Sequence, residues 1–288
     1  LLFSHRLVRE PVVFGYYARY RHLDGQLKPG EYQLSAGMTP ALILDKLSRG
    51  DVVVHRFTVP EGLTVAQIAD LLAAKHLVDR DRFLAAAASS HLVDAYLPPD
   101  HQLRQPLEGY LFPATYEYGR GLTEQGFLQM MFARFDQAWT PEMKARAAEL
   151  HLSVHEVVTM ASIVEREAKV PAERAKIAGV YYNRLRIGMK LDADPAVRYA
   201  VDKPPGEPLL YKDLEVDSPY NSYMHRGLPP GPIAVPGEAS LRAALWPETH
   251  DYWYFVAKAD GSGEHYFATT LAEQQQNIDK FLQANAGK

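Results

Sequence analysis

The chain has 288 residues, of which 47% are hydrophobic and 23% charged, and 31 basic against 35 acidic side chains leave a formal net charge of −4. This composition is typical of a soluble globular protein of about two domains, and the charge excludes a general electrostatic attraction to nucleic acid. The absence of cysteine excludes disulfides, thiolate metal sites and a cysteine nucleophile. The chain begins at Leu1 rather than methionine, so a native start or membrane anchor is expected to have been removed.

The first hundred residues contain a short lead-in followed by an internal repeat. Residues 1–29 are predicted to form a basic amphipathic helix or linker. Further on, Gly37–Leu47 aligns with Gly62–Leu72 at an offset of 25 residues, with six identities in eleven positions. Each copy predicts a strand, around Tyr32 and Leu34 in the first copy, then a glycine turn, a threonine N-cap and a helix. Thr39 and Thr64 are therefore interpreted as caps rather than catalytic hydroxyls. Two copies are too few for a solenoid and predict one small module instead.

A proline-rich break at Leu97–Asp100 predicts a domain boundary near residue 100. We therefore expect an α+β protein in which a small β-α module over residues 30–100 precedes a larger mixed α/β domain over residues 101–288. In that second part, amphipathic periodicity predicts four helices and alternation predicts a hairpin of two strands. These elements are expected at residues 123–135, 141–150, 153–169 and 171–187, and at 252–257 with 264–268.

The helix that begins after Ser153 contains a glutamate in an unexpected position. Ser153 and Glu156 have the spacing of a capping box, which fixes the helix start and allows the faces to be calculated at about 100° per residue. Glu156 and Glu167 fall opposite the apolar stripe, where solvated carboxylates are expected. Glu165 instead falls in the middle of that stripe.

Two interpretations of Glu165 follow from this placement. Burial raises the pKa of a carboxyl group, and a general acid must keep its proton near neutral pH. A buried salt bridge to Arg174, Arg184 or Arg198 would satisfy the same position without any catalytic role. The helix geometry alone favours neither interpretation.

The residues that follow suggest a ligand. The next helix carries Asn183 and is followed by Asp194, and the long segment 218–237 is rich in tyrosine, asparagine and proline. Aromatic rings and amide groups suit a neutral polyhydroxylated ligand such as a glycan. The alternative is that Tyr220 and Tyr223 only hold the loop against the domain.

Other chemistries have little support in the sequence. The zinc-protease motif HExxH and the serine-hydrolase motif GxSxG are both absent, so neither a zinc site nor a nucleophilic serine is predicted. His265 lies in the predicted hairpin, where a single histidine is more often structural than ligand-binding.

Several motifs together resemble the MltG (YceG-like) family of endolytic murein transglycosylases, over a range from about residue 30 to the C-terminus. One departure is visible, because Gln274 follows Glu273 where the family often has histidine. The motifs that carry the resemblance are Leu107–Pro113 (LEGYLFP), Ala161–Glu167 (ASIVERE), Asn183–Leu185 (NRL), Gly188–Met189, Asp194–Pro195, Ser218–Tyr223 (SPYNSY), Gly227–Ile233 (GLPPGPI), Tyr254–Val256 (YFV) and His265–Phe267.

The resemblance implies a bacterial enzyme that cuts nascent peptidoglycan strands internally and leaves 1,6-anhydro-N-acetylmuramic acid ends. It also implies a LysM-like module at the repeat, an inner-membrane anchor ahead of Leu1, a catalytic part in the periplasm, and peptidoglycan synthases (penicillin-binding proteins) as partners. No metal or cofactor is implied. The family's catalytic glutamate falls on Glu165, as acid and then base. The residues expected to line the cleft are Glu108, Asn183, Asp194, Tyr220, Asn221, Tyr223 and His265.

Two other functions stay open on the sequence. A water-using muramidase would pair Glu165 with a second carboxylate, Asp194 or Glu108. A non-catalytic murein-binding scaffold for cell-wall synthesis proteins would use the LysM-like repeat.

Overall fold

The computed structural model describes residues 2–99, 103–204 and 206–286. Within them the chain forms two compact units, one from residues up to 58 with 115–123, and the other from 59–114 with 124 onwards. This division does not follow the predicted boundary near residue 100, because residues 59–99 group with the C-terminal part. Both helices and strands are present, consistent with the predicted α+β class, while the LysM-like character of residues 30–100 stays a prediction.

The first unit contains two helices and most of a two-stranded sheet. Thr39 caps its helix as predicted, since its hydroxyl accepts a hydrogen bond from the Leu42 amide at 3.3 Å. The strand predicted for the first repeat copy, around Tyr32 and Leu34, is absent. The strand of the second copy hydrogen-bonds instead to a strand that follows the proline-rich break. Across this pair the ring of Phe57 stacks on that of Tyr116, with their centroids 5.1 Å apart. The elements are α1 (Pro11–Tyr20), α2 (Pro40–Arg49), β1 (His55–Val59) and β2 (Ala114–Tyr118).

The second unit is mainly helical. The described ranges contain no helix that combines the length and apolarity needed to cross a bilayer. Thr64 forms a capping box with Gln67, as expected for the second repeat copy. The helices are α3 (Val65–Ala74), α4 (Arg80–Ala88), α5 (Glu124–Ala138), α6 (Pro141–Glu149), α7 (Val154–Glu167), α8 (Arg174–Arg186), α9 (Asp194–Ala200), α10 (Tyr211–Leu214), α11 (Glu238–Leu245) and α12 (Leu271–Ala286).

Helix α7 is the centre of this unit, packed against α6, α8, α9 and α11. The predicted capping box is confirmed: the Ser153 amide donates to Glu156 at 2.8 Å and the Ser153 hydroxyl accepts from the Glu156 amide at 3.2 Å. The middle of α7 is buried on every side, since the eight consecutive residues 157–164 are all buried. The predicted apolar stripe, which includes Val157, Val158, Ala161 and Val164, is therefore only one of its covered faces.

The predicted hairpin is also confirmed. Strands β3 (Tyr254–Ala257) and β4 (His265–Ala268) pair antiparallel, with Phe255 opposite Phe267, and α12 packs on both strands. The aromatic segment 107–118 is less regular than its composition suggests. Only its last five residues form a strand, and Leu107–Leu111 are buried in a turn.

Candidate active site

Glu165 is buried as predicted, with 6% of its side chain exposed. One oxygen, Oε2, accepts hydrogen bonds from the Gly237 amide at 3.0 Å and from the Ser240 hydroxyl at 2.7 Å. The other, Oε1, lies 3.5 Å from Nη2 of Arg174, whose Nε in turn donates to the Ser240 hydroxyl at 3.1 Å. The carboxylate therefore joins α7 to the start of α11 and to Arg174.

This network matches the salt-bridge interpretation of Glu165, with Arg174 as the partner among the three arginines considered. Both short hydrogen bonds are accepted by Oε2, whereas Oε1 has only the longer contact with Arg174. Oε2 is therefore engaged within the fold, and Oε1 is the oxygen through which Glu165 could exchange a proton.

Glu167 does not have the solvated environment predicted for it. The residue is half-buried at the end of α7, and burial together with the nearby charge of Asp194 raises the pKa of its carboxyl group to about 7. The prediction is wrong because helix periodicity considers one helix alone, whereas α9 packs against α7 and brings the charge of Asp194 near Glu167. Glu167 thus has the property that helix periodicity predicts for Glu165: a proton retained near neutral pH.

Two of the predicted cleft residues lie beside Glu167. The Tyr223 hydroxyl donates to Oδ1 of Asp194 at 2.8 Å. Burial, the charge of Asp194 and, more weakly, the charge of Glu167 raise the pKa of Tyr223. Arg184 offsets part of the rise in the pKa of Glu167. The structure therefore gathers two carboxyl groups and a phenol around an exposed position, since Asp194 itself is exposed.

Two other predicted residues, Glu108 and Tyr220, line a different region. Glu108 is 3% exposed, accepts from the Val65 amide at 3.0 Å and from the Tyr199 hydroxyl at 3.2 Å, and borders a cavity of about 380 Å³. Burial raises the pKa of Glu108 to about 8. Tyr220 packs its ring 5.0 Å from that of Tyr199.

The remaining predicted residues form bonds within the fold. The amide of Asn221 donates to the carbonyls of Leu214 and Val216 at 2.9 and 2.8 Å, and its side chain is fully buried. Nδ1 of His265 lies 2.7 Å from Glu173. These contacts favour the structural interpretation for both residues, and their role in binding a ligand stays a prediction.

Asn183 also acts within the fold, which gives a first testable prediction. Its amide donates to the carbonyls of His250 and Tyr252, both at 2.9 Å. Substitution Asn183→Ala is expected to lower the free energy of unfolding by about 1–3 kcal/mol, because two half-buried carbonyls lose their donors. Urea denaturation measures this, with the exposed Gln275→Ala on α12 as control, expected within about 0.5 kcal/mol of the parent. An unchanged unfolding free energy in Asn183→Ala would contradict the structural role.

Glu61 also lies near Glu165, although nothing in the sequence pattern predicts this. Glu61 lies 3.8 Å from Nη2 of Arg174, and burial and the charge of Glu165 raise the pKa of Glu61. Because Glu61 follows a strand more than 100 residues before Glu165, only the tertiary structure brings the two together. Gly237 lacks a side chain at the point of closest approach, where a Cβ would lie 1.9 Å from Oε1 of Glu61. Even so, no group of three or more His, Asp or Glu residues within the described ranges has the geometry to hold a metal ion.

Known proteins resemble this chain over nearly its whole length. A sequence profile described as the YceG-like family matches residues 1–280. A crystal structure at 2.6 Å of a YceG-like protein from Listeria monocytogenes superposes with a TM-score of 0.71 at 35% identity, covering 96% of this chain and 92% of the other.

Relatives from two species carry the name endolytic murein transglycosylase. The protein from Bacillus subtilis is 36% identical over 299 residues, which cover 100% of this chain and 82% of the relative. The protein from Streptococcus pneumoniae D39 is 32% identical over 298 residues, covering 94% of this chain and 54% of the relative. The chain thus spans about half the length of the pneumococcal protein.

Proposed function

This chain belongs to the YceG-like family, and from that premise we propose that it is an endolytic murein transglycosylase. The observation that carries the proposal is the match over the whole chain to relatives of that name. The acidic end of α7, where Glu165 and Glu167 lie two residues apart, supports it chemically. The substrate is the glycan strand of peptidoglycan, and the bond cut joins N-acetylmuramic acid to N-acetylglucosamine.

The reaction needs one carboxyl group that first donates and then accepts a proton. The acid protonates the glycosidic oxygen, and positive charge develops at C1 of the muramic residue as the bond breaks. The resulting carboxylate then takes the proton from the muramic C6 hydroxyl, whose oxygen closes on C1 as a 1,6-anhydro ring. The attacking oxygen belongs to the substrate, so no water is consumed and proximity is built in.

Two glutamates are candidates for this role. Glu165 is the sequence-based candidate. We favour Glu167 as the proton donor, since burial and Asp194 raise the pKa of its carboxyl group to about 7. No residue in the described part of the chain donates a hydrogen bond to the Glu167 carboxyl group. Glu165 then acts as a positioning residue that fixes the start of α11 through Gly237 and Ser240.

The masses of the products test the function itself. Purified glycan strands incubated with the protein should yield fragments ending in anhydro-muramic acid, detected by mass spectrometry. A hydrolytic muramidase, the second candidate, is supported by the proximity of the Glu167 and Asp194 carboxyl groups and would give products heavier by one water, about 18 Da. Binding without any new fragments would instead support the non-catalytic scaffold.

Location and partners are further parts of the proposal. Family membership supports a membrane-anchored protein whose catalytic part works in the bacterial periplasm, beside the synthases that make the strands. A LysM-like module over residues 30–100 would add a second contact to the glycan.

A further inference from the structure

The cavity of about 380 Å³ beside Glu108 has a strongly positive lining. Four cationic and two acidic side chains border it: Arg104, Arg166, Arg198, Lys203, Glu108 and Asp202. Two of the cations are neutralised by ion pairs, Arg104 with Asp202 and Lys203 with Asp213. The positive charge of the lining therefore comes mainly from the other two, Arg166 and Arg198.

Arg166 and Arg198 bond only to neutral carbonyl groups. Nη1 of Arg166 donates to the Gly62 carbonyl at 3.0 Å, and Nη1 of Arg198 donates to the Glu207 carbonyl at 2.6 Å. Among the described residues, no carboxylate forms an ion pair with either guanidinium. No ion pair neutralises either charge, although both residues are half-buried, and Glu165 acts on Arg166 only through its more distant charge.

The two guanidinium groups also repel each other. Burial lowers the pKa of Arg166, and the charge of Arg198 lowers it further, while the smaller effect of the Glu165 charge raises it. Two like charges facing one cavity cost free energy that an anion placed between them would recover. Glu108 does not supply that anion at neutral pH, because burial raises its pKa to about 8.

The other side chains that line the cavity indicate which kind of molecule could carry such an anion. Apolar side chains of Val65, Leu84 and Ile233 face the same cavity. The volume is at the lower end of the range for small-ligand sites, enough for an acidic group on a short apolar stem. Planar guanidinium groups suit carboxylates in two-point contact.

We propose that this cavity is a subsite for a carboxylate of the peptide attached to the glycan strand, held between Arg166 and Arg198. This inference rests on the proposed function, since peptidoglycan is the substrate that carries such peptides. It predicts that the protein distinguishes peptide-bearing from peptide-free strands by the charge of the peptide, at a position away from Glu165 and Glu167.

Calorimetric titration of the full chain tests the subsite without any reliance on activity. The probe is the peptide acetyl-Ala-Glu-Ala with a free C-terminal carboxylate, compared with acetyl-Ala-Gln-Ala amide, which has no charge. The acidic peptide should bind saturably, and Arg198→Gln and Arg166→Gln should each raise its Kd at least tenfold. Arg242→Gln, which removes the same charge from a surface pair with Glu142, should leave Kd within twofold.

Three results would overturn the proposal. They are equal binding of the neutral peptide, an unchanged Kd in Arg198→Gln, and displacement of the peptide by an equal concentration of inorganic phosphate. Arg166→Gln also removes the bond to Gly62, so the decisive variant is Arg198→Gln, with circular dichroism confirming that it folds. Product analysis on peptide-free strands tests the proposed function separately, because those strands lack the carboxylate.

Discussion

Replacing Glu167 with glutamine is expected to reduce the release of anhydro-ended fragments by about 100- to 10,000-fold, the usual contribution of a general acid-base group. Glutamine keeps the size of the side chain but carries no transferable proton. In the parent protein the carboxyl group has a pKa of about 7, so it is protonated below that pH. The rate should therefore fall as pH rises through about 7 in the parent, and this limb of the profile should disappear in Glu167→Gln.

Glu165→Gln is the matched comparison, two residues away on the same helix. If Glu165 is a positioning residue, its amide still accepts from Gly237 or Ser240 through one oxygen, and a measurable part of the activity should survive. Full loss of activity in Glu165→Gln with a normal pH profile in Glu167→Gln would contradict our assignment and support the sequence-based candidate.

The stability of Glu167→Gln shows whether Glu167 acts in catalysis or in holding the fold. A buried carboxyl group whose pKa is raised in the folded state keeps its proton longer than in the unfolded chain. Stability contributed by this group is therefore lost as pH rises from its unfolded pKa towards 7. At pH 8, Glu167→Gln should be at least as stable as the parent in thermal melts, and a marked loss of stability there would point to a structural role.

The local parts of the fold could be predicted because their signals lie close together in the sequence. The Ser153 capping box, the threonine caps and the β3–β4 hairpin each depend on residues within about ten positions, and each is confirmed. The strand predicted at Tyr32 and Leu34 does not form, because a strand needs a second strand to which it can hydrogen-bond. Sequence alternation does not show that β1 pairs with β2, some sixty residues away.

The site was harder to predict than the elements for the same reason. The burial of Glu165 follows from the periodicity of its own helix and was predicted correctly. The environment of Glu167 depends on Asp194 from α9, and the raised pKa of Glu61 on Glu165. Helical periodicity cannot report such neighbours. The bonds of Asn183 to the carbonyls of His250 and Tyr252 likewise depend on a loop 67 and 69 residues further along the chain.

A second large effect is expected at Gly109, the glycine that follows Glu108 in the turn at the buried centre of the second unit. Its φ of +85° lies in the left-handed region, and a Cβ there would lie 2.6 Å from Cβ of Pro232 and 2.8 Å from Cγ1 of Val158. Left-handed backbone costs an ordinary residue roughly 1–2 kcal/mol, and overpacking a core costs about 1–3 kcal/mol. Gly109→Ala should therefore lower the free energy of unfolding by about 2–5 kcal/mol.

Two other glycines separate these causes. Gly227 has the same φ of +85°, and no atom lies within 4 Å of the position that a Cβ would occupy, so Gly227→Ala should show the backbone cost alone. Gly179 lies inside α8 with ordinary helical backbone, but a Cβ would lie 2.3 Å from the Glu248 carbonyl oxygen. Gly179→Ala should therefore show the steric cost, once the roughly 1 kcal/mol that alanine gains over glycine inside a helix is added back.

Tryptophan fluorescence during urea denaturation measures all three variants in the relevant unit. The three tryptophans, Trp139, Trp246 and Trp253, lie in the same compact unit as these glycines. If Gly109→Ala loses no more stability than Gly227→Ala, then Pro232 and Val158 move aside without cost. The tight turn would then not be what holds Glu108 at the cavity. If the loss in Gly109→Ala is close to the sum of the two control effects, the turn is rigid. Gly109, the glycine of the LEGYLFP motif, is then required because Val158 of α7 and Pro232 lie too close to its backbone for any side chain.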